Sequence, residues 1–311
     1  MFEVIPLGTG AAIPTRHRHL SACALRREGR LFLFDGGEGT QHRLLEAGLN
    51  RSRLEAVFVT HLHGDHLFGL PGLLTTLALL ERTRPLTVAG PPGIERVLSG
   101  LPGLARSDLP FEVRWVELAE GFTHRIVYET DDVTVEARPL DHRVVCAGYR
   151  FEEKPRLGSI DGEAARAAGV TEGWQYEALK RRETVTLADG TRLGPAGLVG
   201  PERPGAAFAY VLDTRPCEGG RLLARGADLL VHEATFTHDL HASAERTGHS
   251  TAREAAEVAA HAGARRLLLT HISARYADPA PLVAEARAVF PDADAAEELR
   301  RYEVAPRPAS A

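Results

Sequence analysis

Three histidines and one aspartate share a short stretch of the chain, residues 61–66, which reads His-Leu-His-Gly-Asp-His. Side chains two residues apart in an extended segment point the same way, so His61 and His63 can bind one metal ion. Asp65 and His66, where the chain turns, can face a second ion. Imidazole and carboxylate groups suit zinc best, and suit manganese or iron less exclusively. The stretch therefore predicts a metal site.

Apolar runs on either side of this stretch define the elements that hold it. Residues 56–59 predict a buried strand, and residues 67–80 predict a helix whose start is loosened by Gly69, Pro71 and Gly72. The metal-binding stretch is thus a strand-to-helix loop. Helical segments alternate with further strands, which are predicted at residues 2–7, 31–34, 86–89 and 133–137. This alternation indicates a mixed α/β chain.

Several later strands end just before a side chain that can bind metal. The pairs of strand and side chain are 133–140 with His142, 207–212 with Asp213, 229–231 with His232 and Glu233, and 267–270 with His271. Functional residues of α/β proteins gather in loops beyond one set of strand ends. We therefore expect these side chains to meet the residues of the first stretch.

His249 has a different setting, because it precedes a predicted helix. Thr251-Ala-Arg-Glu254 matches a capping box, which opens a helix that reaches about His261. His249 is therefore expected just outside a helix N-terminus, held by a well-defined turn.

Seven of these side chains suffice for two ions. We expect one ion on His61, His63 and His142, the other on Asp65, His66 and His271, and Asp213 as the bridge between them. Two zinc ions about 3.5–4 Å apart can stabilise the attacking and leaving oxygens of an in-line displacement, and zinc lowers the pKa of water to about 7. The leaving oxygen then needs a proton, which Glu233 and His249 can relay. Alternatively, Glu233 orients a ligand histidine.

The composition limits the classes of protein to which the chain can belong. Its 311 residues are 44% hydrophobic and 25% charged, as in an ordinary soluble globular protein. A net charge of -5 argues against coating nucleic acid through bulk positive charge, so an RNA or DNA partner needs local basic patches. Cys23, Cys146 and Cys217 are far apart and odd in number, which predicts no disulfide framework and fits a reducing cytoplasm. We see no signal peptide and no apolar run long enough to cross a bilayer, so no membrane partner is expected.

Basic residues in two places are candidates for contacting phosphates. Arg16 and Arg18 follow the first predicted strand, in a loop that either contacts phosphate or is simply solvated. Lys180, Arg181 and Arg182 form a second basic group, for which a solvated helix face is the alternative.

The second basic group belongs to a segment of distinct composition. Residues 150–205 are rich in charge, glycine and proline, and they offer little apolar surface to bury. Short helices are predicted at residues 161–168 and 176–182, with a hairpin turn at Asp189-Gly190. We interpret the segment as an inserted arm that projects from a single domain spanning residues 1–311.

The motifs, taken in order, resemble those of short-form ribonuclease Z, a family of the metallo-β-lactamase superfamily. The motifs that carry the resemblance are Leu7-Gly-Thr-Gly-Ala-Ala-Ile-Pro14, Phe34-Asp-Gly-Gly-Glu-Gly-Thr-Gln41, Thr60-His-Leu-His-Gly-Asp-His-Leu-Phe-Gly-Leu-Pro-Gly72, His232-Glu-Ala-Thr235, His249-Ser-Thr251 and Leu269-Thr-His-Ile-Ser-Ala-Arg-Tyr276. The match runs over nearly the whole chain, and the combination is specific. It implies an α/β fold of four layers, an αββα sandwich, with the arm inserted.

The resemblance also implies an activity. Members of this family are zinc-dependent endoribonucleases that remove the 3′ trailer from precursor tRNA, leaving a 3′-hydroxyl on the tRNA and a 5′-phosphate on the trailer. The resemblance implies two zinc ions per subunit on the seven ligands above. It gives Glu233 and His249 the proton relay, and it gives Asp65 the second role of orienting the nucleophile. It further implies a homodimer in which the arm of one subunit grips the tRNA body while the other subunit cuts.

Three positions depart from the family pattern. His19 stands where the family has an amide, in a loop of residues 14–19 that is linked to handling of the CCA end of tRNA. Gly36 stands in place of a cysteine, and Trp174 stands in place of a proline of the arm.

Two other functions remain open, because one fold in this superfamily hosts many activities. The first is a phosphodiesterase or ester hydrolase of small substrates at the same site, which would have no use for a projecting basic arm. A thioesterase of the glyoxalase II type would share the histidine stretch but lack the context of His249 and His271. The second is a metal-bearing RNA-binding protein without turnover, which would bind RNA but leave it uncut.

Overall fold

A computed structural model describes residues 1–307 of the chain. Its strands, in chain order, are β1 (Phe2–Gly8), β2 (Ala22–Arg27), β3 (Arg30–Phe34), β4 (Leu54–Phe58), β5 (Leu86–Gly90), β6 (Val113–Glu117), β7 (Arg125–Glu129), β8 (Val133–Pro139), β9 (Ala147–Glu153), β10 (Val185–Thr186), β11 (Arg192–Leu193), β12 (Ala207–Val211), β13 (Leu229–Glu233), β14 (Leu267–Thr270), β15 (Ala293–Ala295) and β16 (Tyr302–Val304). The α-helices are α1 (Thr40–Glu46), α2 (Gly64–Leu67), α3 (Leu70–Leu79), α4 (Ile94–Ser99), α5 (Gly162–Ala167), α6 (Gly173–Lys180), α7 (Glu218–Ala224), α8 (His241–Thr247), α9 (Ala252–Ala262) and α10 (Ala280–Arg287). Short 3-10 helices cover Arg51–Arg53 and His238–Leu240.

The main unit of the chain, Met1–Glu152 with Ala206–Pro306, is built on two seven-stranded sheets. Their strand orders are β16-β1-β2-β3-β4-β5-β6 and β15-β14-β13-β12-β9-β8-β7. In the first sheet β3 to β6 run parallel, and in the second β12 to β15 run parallel. Because parallel strands end at the same edge of a sheet, residues that follow β12, β13 and β14 lie at one edge.

The two sheets pack face to face through aromatic side chains. Phe2 and Phe151, from opposite sheets, have ring centroids 5.1 Å apart, and Phe34 and Phe208 have centroids 5.2 Å apart. Helices α1, α3 and α4 cover the outer face of the first sheet, and α7, α9 and α10 cover that of the second. β12 is buried at every position, as a central strand covered on both faces must be. The layers are therefore helix, sheet, sheet and helix, and the predicted αββα sandwich is confirmed.

The helix predicted over residues 67–80 is interrupted. α2 ends at Leu67 and α3 begins at Leu70, with Gly69 between them. The Gly69 N–H donates to the Gly36 carbonyl at 2.8 Å, and a Cβ at Gly69 would lie only 2.0 Å from the Gly37 carbonyl oxygen. The glycine-rich turn after β3 therefore approaches so closely that the two helices cannot be continuous.

The helix predicted after Thr251 forms as expected. Thr251 is the N-cap of α9, and its side chain accepts from the Glu254 N–H while the Glu254 carboxylate accepts from the Thr251 N–H. Both halves of the predicted capping box are present, and they fix the turn that carries His249.

A second compact unit comprises Glu153–Gly205 together with Arg307. Its boundary lies three residues later than 150, because β9 keeps residues 150–152 in the main sheet. Contrary to the expectation that this segment has little to bury, α5, α6 and the β10–β11 hairpin surround a small core. That core consists of Ala165, Val170, Ala178, Leu179, Val185, Leu187 and Val199.

Two further observations concern the cysteines and the helices. Cys23, Cys146 and Cys217 are free thiols. Within residues 1–307, every helix is too short or too polar to span a bilayer.

Candidate active site

All seven predicted ligands meet beyond the ends of β4, β8, β12 and β14. They form two groups whose ligand atoms lie within 4.8 Å of one another: His61, His63, His142 and Asp213, and then Asp65, His66 and His271. The sequence pattern divided the six other side chains in the same way and predicted Asp213 as the bridge between the groups. A third such group joins Asp213, His271 and His249.

The Asp213 carboxylate stands between the two groups. Its Oδ2 lies 3.6 Å from His61 Nε2, and its Oδ1 lies 3.4 Å from His66 Nε2 and 3.2 Å from His271 Nε2. Burial acts to raise the pKa of Asp213, but the surrounding histidines, His271 foremost, hold it well below the usual range. Asp213 is therefore a carboxylate with one oxygen facing each group.

Three residues at the strand ends have a left-handed backbone. Asp35, Asp213 and His271 have φ values of 57°, 54° and 54°. Such a conformation costs a non-glycine residue on the order of 1–3 kcal/mol and tends to persist at functional sites. Here it turns each side chain away from the strand direction and into the site.

Several atoms in this site need a partner that the protein does not supply. Among residues 1–307, the buried atoms without a hydrogen-bond partner include His66 Nε2, His142 Nε2, His271 Nε2 and Asp213 Oδ1. Buried polar atoms without partners are costly, so four of them in one cluster are what the ligands of a cation would look like. Burial, helped by the charge of His66, holds the pKa of His61 well below its ordinary value, which keeps that imidazole in the neutral form that metals bind. The donor set thus fits a metal cofactor.

Asp35, which was not among the site residues predicted from the sequence, orients one of these histidines. His66 Nδ1 donates to Asp35 Oδ2 at 2.8 Å, and the Thr60 N–H donates to Asp35 Oδ1 at 2.7 Å. With Nδ1 occupied in this way, His66 presents Nε2 to the site. The available signal was a carboxylate directly after the buried strand β3.

The other ring nitrogens of two more histidines are also engaged. His142 Nδ1 donates to the Gly248 carbonyl at 2.9 Å. His271 Nδ1 lies 2.9 Å from the Thr235 hydroxyl, which in turn donates to Glu233 Oε2 at 2.7 Å. These bonds fix which nitrogen faces the site, and they are typical of metal-binding histidines.

Asp65 places a carboxylate oxygen beside His66 and His271. Its Oδ2 accepts from the Ala12 N–H at 2.9 Å and lies 3.5 Å from His66 Nε2 and 3.7 Å from His271 Nε2. Burial acts to raise the pKa of Asp65, but the neighbouring His271 and His66 imidazoles hold it well below its usual range. Asp65 is therefore ionised at the edge of the site.

Glu233 and His249 form a hydrogen-bonded pair beside the ligands. His249 Nδ1 donates to Glu233 Oε1 at 3.1 Å. Burial acts against the charged imidazole, but the Glu233 carboxylate raises the pKa of His249 to about 9. The Glu233 carboxylate thus favours the protonated imidazole, which is the form that a general acid needs.

Glu233 itself is completely buried, and both of its oxygens are occupied. Besides His249, its donors are the Thr214 N–H at 2.5 Å, the Ser250 N–H at 3.0 Å and the Thr235 hydroxyl at 2.7 Å. A carboxylate without exposed surface can act on a substrate only through the histidine it holds. In this geometry Glu233 orients His249, and it reaches the candidate ligand His271 only through the Thr235 hydroxyl.

The first basic loop departs from prediction. Arg18 is only 7% exposed, and its guanidinium donates to the backbone carbonyls of Tyr276 and Ala277. It ties the loop to the segment after His271, so the prediction that Arg18 contacts phosphate is wrong for the observed conformation. Arg16 is exposed.

The second basic group is partly neutralised. Lys180 Nζ lies 2.9 Å from Glu177, Arg181 lies 2.9 Å from Glu183, and Arg182 donates to the Gly200 carbonyl at 2.9 Å. Residues 153–205 contain eight acidic and eight basic side chains. Any attraction of this unit for phosphates must therefore come from local placement of charge.

Comparison with known proteins extends these observations. The model of the anti-Pycsar protein Apyc1 family matches residues 2–98, and that of the beta-lactamase superfamily domain matches residues 173–272. A ribonuclease Z of Salinibacter ruber is 57% identical, with 98% of this chain and 95% of that protein aligned. A ribonuclease Z of a Synechococcus strain is 45% identical over 98% of this chain and 97% of its own length.

A solved structure gives the same result for the fold. The crystal structure of the short form of human tRNase Z has a TM-score of 0.69 and 28% identity, and the match covers 97% of this chain and 98% of that one. Because the curated relatives align along almost their whole length at this level of identity, the chain has the metallo-β-lactamase fold and belongs to the ribonuclease Z family.

Proposed function

We propose that this protein is a zinc-dependent endoribonuclease that removes the 3′ trailer from precursor tRNA. The observation that carries the proposal is the Asp213 carboxylate placed between two ligand groups, with the paired Glu233 and His249 beside them. Membership of the ribonuclease Z family gives the substrate class.

The metal would be two zinc ions per subunit. His61, His63 and His142 would hold one ion, Asp65, His66 and His271 the other, and Asp213 both. Such ions supply a nucleophilic water at neutral pH and positive charge for the phosphate oxygens. Imidazole nitrogens with carboxylate oxygens are the donor set that zinc favours.

The side chains of the protein then have separate tasks. Asp65, which also accepts from the Ala12 N–H, orients the attacking water toward phosphorus. The attacking water gives up a proton to solvent, and as the new oxygen–phosphorus bond forms, the bond from phosphorus to the ribose 3′ oxygen breaks. That oxygen takes the proton of His249, which solvent then restores. Glu233 holds the imidazole in place and stabilises its charged form. The tRNA keeps a 3′-hydroxyl, and the trailer leaves with a 5′-phosphate.

The RNA must be held by a few placed cations, because the whole chain has a net charge of -5. We assign Arg16 to the phosphates near the cut, and Lys180, Arg181 and Arg182 of the inserted unit to the tRNA body. Trp174, 60% exposed at the start of α6, is a further surface on which a base can stack. The functional form would be a cytoplasmic homodimer, in which the inserted unit of one subunit binds the tRNA that the other subunit cleaves.

The decisive experiment is incubation of the purified, metal-loaded protein with an end-labelled precursor tRNA, followed by mapping of both ends at the cut. We expect one cleavage immediately 3′ of the mature tRNA body, with a 3′-hydroxyl and a 5′-phosphate. Binding without cleavage would favour the non-catalytic RNA-binding alternative. Hydrolysis of bis(p-nitrophenyl) phosphate with no action on the precursor would favour the phosphodiesterase of small substrates.

A further inference from the structure

We infer that Arg215 is a positioning residue, which holds His249 in place relative to the metal-binding side chains. The inference rests on the proposed function, since it concerns the group that would donate the proton. Arg215 was not among the residues selected from the sequence. The hydrogen bonds of its side chain go to His249, Glu254 and His241, which lie outside the set of seven candidate ligands.

The guanidinium of Arg215 forms hydrogen bonds with the turn that carries His249. Its Nη1 donates to the His249 carbonyl at 2.6 Å and to Glu254 Oε2 at 2.8 Å. Its Nη2 donates to Glu254 Oε1 and lies 3.2 Å from His241 Nε2. The Arg215 side chain is only 17% exposed. Arg215 therefore binds both carboxylate oxygens of Glu254, the capping residue of α9, and also the backbone carbonyl of His249.

The backbone around Arg215 belongs to the metal site. Asp213 is two residues earlier, and the Arg215 N–H donates to the Asp141 carbonyl at 2.9 Å. The Asp141 N–H donates in turn to the Thr214 hydroxyl at 3.0 Å. Because His142 follows Asp141, the segment of residues 213–215 joins the bridging carboxylate, a ligand histidine and the His249 turn. This one segment can thus set the distance between His249 and the metal-binding side chains.

The backbone on either side of His249 is held by other hydrogen bonds. On one side, Gly248 ends α8 with φ of 77°, its carbonyl accepts from His142 Nδ1 at 2.9 Å, and the His249 N–H donates to the Ala244 carbonyl at 2.9 Å. On the other side, Ser250 donates through its hydroxyl to the Thr214 carbonyl at 2.5 Å. The Arg215 bond to the His249 carbonyl lies between these two points. Without it, the peptide after His249 keeps the bond from the Ser250 N–H to Glu233 but loses the restraint on its carbonyl, and we expect the ring to be placed less precisely.

The competing role for Arg215 is simple stabilisation of the N-terminus of α9 through Glu254. The two roles differ in what a substitution changes. A helix cap affects the stability of all of α9 and every activity alike. A positioning residue affects only reactions that need the His249 proton, and its effect disappears when His249 is absent.

The experiment compares Arg215→Ala, His249→Ala and the double variant, with Arg221→Ala as a matched control from an exposed pair on α7. Single-turnover cleavage of precursor tRNA should fall about 10- to 100-fold in Arg215→Ala, because small misplacements of a reacting group have costs of that order. KM and metal content should stay as in the unmodified protein. In the His249→Ala background, Arg215→Ala should change the rate by less than about twofold. Guanidinium added in solution should restore part of the loss in Arg215→Ala.

Two further measurements separate the roles. Hydrolysis of bis(p-nitrophenyl) phosphate should be spared, because nitrophenolate leaves without a proton. Hydrogen exchange of the Arg215→Ala protein should rise at residues 248–251 while the interior of α9 stays protected. Two outcomes would show that Arg215 is only a helix cap and that the inference is wrong. In the first, hydrogen exchange rises along all of α9 and the rates with both substrates fall equally. In the second, the effects of the Arg215 and His249 substitutions on the cleavage rate are additive. If the unmodified protein does not cleave precursor tRNA, the proposed function fails, and the exchange pattern still decides whether Arg215 holds the turn.

Discussion

Asp35 and His66 are joined by a hydrogen bond of 2.8 Å in the completely buried floor of the metal site, although they are 31 residues apart in the chain. The bond determines which nitrogen of His66 is free to bind metal. It also connects the turn after β3 to the loop after β4. The affinity of the site for metal should therefore depend on a residue that is not itself a ligand.

We expect Asp35→Asn to weaken metal binding about 10- to 100-fold. Asparagine tolerates the left-handed backbone at this position, so the fold should be retained. Its amide, however, cannot accept from His66 Nδ1 and from the Thr60 N–H as the carboxylate does. Competition with a chelating dye measures the affinity, and the exposed Asp131→Asn is the control. Unchanged affinity would show that the hydrogen bond does not set the orientation of His66.

A second prediction concerns the number of metal ions. Asp213→Asn should retain fewer than the two zinc ions per chain that we propose, because the carboxylate faces both ligand groups. Asparagine is chosen over alanine because the residue has φ of 54°. Elemental analysis of protein purified without chelator gives the stoichiometry, and activity should fall in parallel. A single ion in the unmodified protein, with the same content after the substitution, would contradict the binuclear arrangement.

A third prediction isolates the proton donor. His249→Ala should keep its metal and its affinity for precursor tRNA, while single-turnover cleavage slows by roughly 10²- to 10⁴-fold. Hydrolysis of bis(p-nitrophenyl) phosphate should change much less. His261→Ala, at the exposed far end of α9, is the matched control. Near-normal cleavage in His249→Ala would remove this residue from the chemistry.

Much of the site could be predicted from the sequence, because its ligands are either adjacent in the chain or stand directly after apolar strands. His61 and His63 are fixed by local spacing, and Asp213 and His271 by their positions after buried strands. The capping box at Thr251 is likewise a local pattern. In each case the physical cause of the geometry lies within a few residues of the side chain concerned.

The predictions that differed from the structure depended on distant contacts. Arg18 was expected at the surface, but its partners are carbonyls about 258 residues away, at Tyr276 and Ala277. The helix of residues 67–80 is broken by the turn that contains Gly36. In the inserted unit, apolar residues scattered between 165 and 199 form a core only when α5, α6 and the hairpin come together.

The last prediction separates binding of the tRNA body from cleavage. β9 and β12 are antiparallel neighbours in which Ala207 pairs with Glu152, so the two ends of the insertion meet within the main sheet. Extending this register pairs Glu153 with Ala206, so residues 154–205 can be replaced by an Asn-Gly turn that closes a β-hairpin with a two-residue loop.

The shortened protein should keep its metal and its hydrolysis of bis(p-nitrophenyl) phosphate, because the ligands all lie in the main unit. Cleavage of precursor tRNA should fall through a higher KM. In the full chain, changing Lys180, Arg181 and Arg182 to alanine should lower the slope of log affinity against log salt by about one for each phosphate that no longer meets a cation. The full effect of three cations is not expected, since Lys180 and Arg181 are already paired with glutamates. Loss of both activities on deletion, with metal retained, would place the inserted unit within the catalytic site, whereas loss of neither would move tRNA binding to other cations such as Arg16.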